Sequence, residues 1–147
     1  MQIMQLRTSV EADAAGLAAR FRTPAQLEQL DHYLDRLVDA SNAPRTQESV
    51  QAWLDAEAAF YLTVAQASGN SFFVEFLQLI DARMRMKLRA AAANNVRVAE
   101  MHAEVAAEHR AIVDAIRRHD AAAAAQAART HFTRAAERTA LRKDLRD

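Results

Sequence analysis

A chain of 147 residues with only two glycines (Gly16, Gly69) and two prolines (Pro24, Pro44) has few places to break a helix. β-branched and aromatic residues are sparse, and alanine is about a quarter of the chain. Strands and hairpins need β-branched side chains and turn glycines, so a sheet protein is excluded. Neither G-x-G-x-x-G nor G-x-x-x-x-G-K is present, which removes the usual signature of nucleotide-binding α/β folds. The expected fold class is all-α. There is no cysteine, so disulfide scaffolds, thiolate zinc sites and cysteine nucleophiles are excluded too.

The rare breakers make helix limits readable. The apolar periodicity predicts helices over about 5–20, 24–40, 47–67, 70–92, 96–118 and 121–143. Thr23 caps the second with Pro24 at its first position, Asn70 can cap the fourth, Asn94–Asn95 marks a weak break, and Asp120 caps the sixth. On the first helix the expected inner face is Leu6, Val10, Ala14, Leu17 and Ala18. Six amphipathic helices with short links predict one antiparallel bundle, as a single domain over 1–147. The alanine run 121–125 reads as a thin helix face that lets a neighbour approach closely.

Three inward stripes are each interrupted by an ionisable residue. The third helix reads Val50, Leu54, Glu57, Tyr61, Val64. The fifth reads Met101, Val105, His109, Ile112, Ile116, and the sixth Ala124, Ala128, His131, Ala135. Burying a lone carboxylate or imidazolium is costly, so such groups are paired or hold a ligand. One carboxylate and two imidazoles form a ligand set for a divalent metal such as zinc, nickel, manganese or iron, with positions left open. The plainer alternative is a hydrogen-bonded core cluster, the ordinary fate of a histidine in an apolar stripe. His102 can share the face of His109; His32 and His119 read as surface residues. Arginines 117, 118, 134, 138 and 142 read as solvated, as does the run Arg85, Lys87, Arg89. Arg7 sits one residue from the first helix's apolar stripe, and Arg83 lies on the inner edge of the fourth helix. An arginine aimed into a polar pocket clamps carboxylates bidentately. Trp53, Phe72, Phe73 and Phe76 read as core or interface packing.

Nineteen basic and nineteen acidic residues cancel. A nucleic-acid binder ordinarily carries a basic excess, so the charge argues against direct DNA contact by this chain. No apolar run reaches membrane-spanning length and no signal peptide precedes the first amphipathic stretch, giving the expectation of a cytoplasmic domain with no membrane partner.

Four segments carry a family resemblance. Phe60–Asn70 (FYLTVAQASGN) resembles the FHxxLAxASGN segment of the ligand-binding C-terminal (FCD) domain of GntR-type transcription regulators. Glu108–Ile116 (EHRAIVDAI) is similar to that family's EHRAILDAI, Asp120–Phe132 to its GDAxAAxxAMRxHL, and Leu6 through Ala19 to its opening helix. The resemblance implies a bundle of six or seven helices whose pocket binds a small organic acid, in many members at a divalent metal held by one Asp and three His. On this chain the family's Asp falls on Glu57, two of its histidines on His109 and His131, and the third on Tyr61. A neutral phenol is a poor ligand unless the metal lowers its pKa, so a three-ligand zinc, nickel or manganese site with Tyr61 beside it is implied. Arg7 matches a first-helix arginine, and Arg83 lies near arginines that face the effector. The resemblance also implies a homodimer, and DNA binding by an N-terminal winged helix-turn-helix that is expected to be absent from this chain; no nucleophile–base pair is evident in the sequence, so no catalytic activity is expected. The opposing alternatives are a metal-dependent enzyme acting on a small carboxylate and a metal-free interaction bundle.

Overall fold

The structure, a computed structural model, describes residues 2–92 and 102–144. It contains α1 (Gln2–Phe21), α2 (Pro24–Asn42), α3 (Gln47–Ala67), α4 (Ser71–Ala92), α5 (His102–Arg117) and α6 (Ala121–Asp144), and no strand among the described residues. The all-α expectation holds. The Asn94–Asn95 break, Met101 and the expected start of the fifth helix lie outside the described residues, as do the side chains of Arg85, Lys87, Arg89, His102 and Arg142. No described helix is long and apolar enough to cross a membrane.

α2, α3, α4 and α6 each start where a side chain takes up amide groups that the first turn leaves open. Thr23 Oγ1 accepts from the Gln26 amide at 3.1 Å while Gln26 Oε1 accepts from the Thr23 amide at 2.9 Å, a reciprocal box ahead of Pro24. Thr46 and Ser49 repeat it for α3. Asn70 Oδ1 accepts from the Phe72 amide and Asp120 Oδ1 from the Ala123 amide, both at 3.0 Å. α3 ends at Gly69, whose φ of 74° suits a residue without a Cβ. At the end of α5 the same left-handed turn falls on His119, with φ 57°. Its ring is tied down by a 2.7 Å hydrogen bond between Nδ1 and the Ala19 carbonyl.

α1 packs most extensively on α6, α2 on α3, and α5 on α6; α1 also lies against α3 and α5. The alanine-rich faces allow this closeness. A Cβ placed on Gly16 would meet the Ala121 carbonyl at 3.3 Å and the Ala125 Cβ at 3.6 Å. The thin-face reading of 121–125 is thus met by α1. Larger side chains fill the rest: Leu30, Leu34 and Leu37 from α2, Phe60 and Val64 from α3, and Ile112, Val113 and Ile116 from α5.

α1 corrects one expectation. Leu6 is 51% exposed, whereas Arg7 is 5% and Glu11 1% exposed. The buried face is Arg7, Glu11, Ala14, Ala15 and Ala18, one step round from the apolar stripe expected. The face turns because the bundle centre is polar at this level, and the helix directs its charged pair there.

Candidate functional site

α1, α3, α5 and α6 meet around one polar cluster. Glu57 and Tyr61 come from α3, His109 from α5, and His131 from α6. One donor atom from each of Glu57, His109 and His131 lies within 4.8 Å of the others. Both histidines are fully buried and Glu57 partly so. Rings pack tightly around them: His109 and His131 are 4.6 Å apart between centroids, Phe60 stands edge-on to His109, and Tyr61 stacks on His131 at 22°.

The hydrogen bonds set which ring nitrogens are available. His109 Nδ1 lies 2.8 Å from the Val105 carbonyl. A carbonyl only accepts, so Nδ1 carries the hydrogen, and Nε2 of the neutral ring keeps its lone pair. That Nε2 is buried and makes no hydrogen bond with a described residue. Burial, with His131 adding to it, pushes the His109 pKa down to about 3 and holds the ring neutral. His131 Nδ1 lies 2.7 Å from Glu108 Oε2, and a carboxylate likewise only accepts. Its Nε2 is the nitrogen left to face the cluster.

Glu108 is itself clamped. Arg138 donates to it from both terminal nitrogens at 2.9 Å, and Arg134 approaches at 3.6 Å. Burial alone would raise this carboxyl, but the hydrogen bonds from His131 and Arg138 outweigh it and hold the pKa at about 2. A histidine oriented through its far nitrogen by a fixed carboxylate is the arrangement that metal-binding imidazoles use.

On the other side of Tyr61 lies a second charged group. Arg7 Nε donates to Glu11 Oε1 at 3.3 Å, and its Nη2 lies 3.6 Å from Asp81 of α4. The guanidinium carbon sits 5.5 Å from the Tyr61 ring centroid and 4.8 Å from that of Phe132. Burial disfavours its charge, but Glu11, Glu57 and Asp81 outweigh this and hold it protonated. One cation thus faces three carboxylates. Burial pushes Glu11 up to about 7 and raises Glu57, in both cases against the pull of Arg7. Burial, then Glu57 and Glu11, raise the Tyr61 phenol well above its usual value, so it remains an O–H donor. Its oxygen and Glu11 Oε2 are buried without a hydrogen-bond partner among the described residues.

The structure therefore gathers Glu57, His109, His131, Tyr61 and Arg7. Arg83 is exposed on α4 and is not among them. Sequence reasoning missed Glu11, Asp81, Glu108 and Arg138. Arg138 corrects a reading outright: it is 9% exposed and bound to Glu108, not solvated. A signal existed, because Arg138 lies seven residues after His131 and Glu11 four after Arg7, each on the same helix face. Arg117 and Arg134 do sit at the surface. Phe72 is also exposed, while Phe73 and Trp53 pack on the core.

The family model for the FCD domain matches residues 2–134. A solved structure of a GntR protein from Streptococcus agalactiae superposes with a TM-score of 0.70 at 24% identity, covering 90% of this chain and 55% of that one. The chain thus spans little more than half the length of that neighbour, and the likeness shows a shared fold. Among curated proteins no relative matches. With the family model covering nearly the whole of the bundle just described, the chain belongs to the FCD domain family.

Proposed function

We propose that this chain is the effector-sensing domain of a GntR-type transcription regulator, and that Glu57, His109 and His131 hold a divalent metal at which a small organic acid binds. The convergence of three donors from three helices carries the reading, with His109 Nε2 buried and unpaired and His131 turned by Glu108. Donor atoms bound to zinc sit about 2.0–2.2 Å from it, so side chains already within 4.8 Å of each other need only small adjustments. Charge balance is compatible with the same ion, because Arg7 faces three carboxylates, Glu11, Glu57 and Asp81. Zinc, nickel and manganese all accept a mixed nitrogen and oxygen set.

When bound, the ion supplies a positive charge and open positions for a carboxylate. The chain's own residues do the rest. Tyr61 keeps its proton and donates to the incoming carboxylate rather than acting as a fourth ligand. Arg7 adds fixed positive charge. Phe60 and Phe132 exclude water from one side of the cluster. Among the described residues no nucleophile is paired with a base at this cluster, which supports a domain that acts by binding and releases the acid unchanged. Binding that differs between two arrangements of the helices shifts their populations, and so DNA affinity in a winged-helix domain outside residues 1–147.

Thermal unfolding tests this. Zinc should raise the midpoint of the chelator-treated chain, and a panel of small carboxylic acids should raise it further only when zinc is present. Stabilisation by acids that is indifferent to chelator would overturn the metal-centred reading.

A further inference from the structure

A cavity of about 400 Å³ opens between α1, α3 and α4, within the range that holds small ligands. Its walls include Glu11, Tyr61 and Asp81, with Asp55 at one side and Leu62 and Leu77 as apolar surface. None of the three metal-site residues lines it. Tyr61 joins the two regions: its ring packs against His109 and His131, and the same residue forms cavity wall.

Two buried oxygens at this wall have no hydrogen-bond partner among the described residues, Glu11 Oε2 and the Tyr61 hydroxyl. Glu11 is 1% and Tyr61 3% exposed. An unpaired buried polar atom is costly, and two of them on residues that form one cavity's wall point to a ligand that satisfies both. The charge at this end has a sign. Arg7 is the cation beside Glu11 and Asp81, so two carboxyl groups share one guanidinium among the described residues at this wall. A second carboxylate would face Glu11 and Asp81 and be repelled. A hydrogen-bond donor carrying positive charge would complete the set.

We infer that the effector carries an ammonium group, so that its carboxylate lies by Tyr61 toward the metal site while its ammonium is held by Glu11 Oε2 and Asp81. The ligand class is thereby a small amino acid, not a plain or hydroxylated organic acid. This rests on the effector-sensing reading and narrows it. Glu11 is the specificity-determining residue. Its raised pKa fits the same placement, since a buried carboxylate short of positive charge is the group that an ammonium stabilises in ionised form.

Matched trios test it on the zinc-loaded chain by calorimetric titration: alanine, lactate and propionate; aspartate, malate and succinate; glutamate, 2-hydroxyglutarate and glutarate. In the trio that binds best, the amino member should bind about 10- to 100-fold tighter than the unsubstituted acid, the worth of a charge-assisted buried hydrogen bond. Glu11→Gln should erase that preference, and Asp81→Asn, at a partly exposed position, should reduce it. A parallel zinc titration on each variant, with its circular dichroism, separates loss of the subsite from loss of the fold. Binding of all three members alike, or tightest binding of the unsubstituted acid, would overturn the ammonium inference while leaving an acid-sensing domain standing. No binding by any amino member would overturn it as well, and a failure of zinc itself to bind would register separately in the metal titration.

Discussion

His131 faces the cluster because Glu108 holds its far nitrogen, and Glu108 stays in place because Arg138 grips both of its oxygens. The chain of command runs from a residue beyond the family-matched span to a donor inside it. Arg138→Met should therefore weaken zinc binding about 10- to 100-fold in a competition titration, although Arg138 touches no donor atom; unchanged affinity would show that His131 needs no such support. Tyr61→His restores a nitrogen donor where a protonated phenol stands, and should tighten zinc binding in the same titration. The buried groups also set a pH profile for the metal-free chain in EDTA. Glu108 at about 2 and His109 at about 3 both bind fewer protons folded than unfolded in the window from pH 3 to 4.5. Stability must rise with pH there and be lost as pH falls. From pH 4.5 to 6.5 His109 still favours higher pH, but Glu11, held up to about 7, keeps a proton that the unfolded chain has released and pulls the other way, as does Glu57. Urea unfolding should show a steep rise up to pH 4.5 and no further rise above it, with two raised carboxyls set against one histidine.

The helices were legible because breakers are rare and four of the six starts carry a capping side chain. Thr23, Asn70 and Asp120 all cap as their sequence context implies. Phase was legible wherever the buried face is apolar, and Glu57, His109 and His131 stood out as interruptions in such faces. It failed on α1, where Arg7 and Glu11 take the buried positions and Leu6 faces solvent. An apolar stripe cannot report a face whose burial is made possible by ions on other helices. Glu108 and Arg138 were hidden for the same reason: each looks solvated alone, and only the α5–α6 contact pairs them. The alanine faces of α1 and α6 give a prediction at this scale. Ala128 is 1% exposed in the core shared by these helices. Ala128→Leu should cost about 1–3 kcal/mol in urea unfolding by overpacking, whereas substitution at exposed Ala122 should cost little.

The whole bundle puts its donors on three separate helices and closes them with a fourth. α3, α5 and α6 supply Glu57, His109 and His131, and α1 brings Arg7 and Glu11 against Tyr61 and Asp81. A ligand at such a crossing senses the relative position of every helix it touches, which suits a domain that works by shifting populations. A bound ion would also make the site a clamp on the fold, since an ion that binds only the assembled bundle stabilises it by mass action. The proposed sensing role stands on that ion. Its most direct measurement is the metal content of the chain after zinc loading and gel filtration, beside that of His131→Ala under the same treatment. One zinc ion per wild-type chain, with none retained by a variant that keeps its helical circular dichroism, is the predicted result. A wild-type chain that emerges without zinc, or a variant that retains as much as wild type, would contradict it.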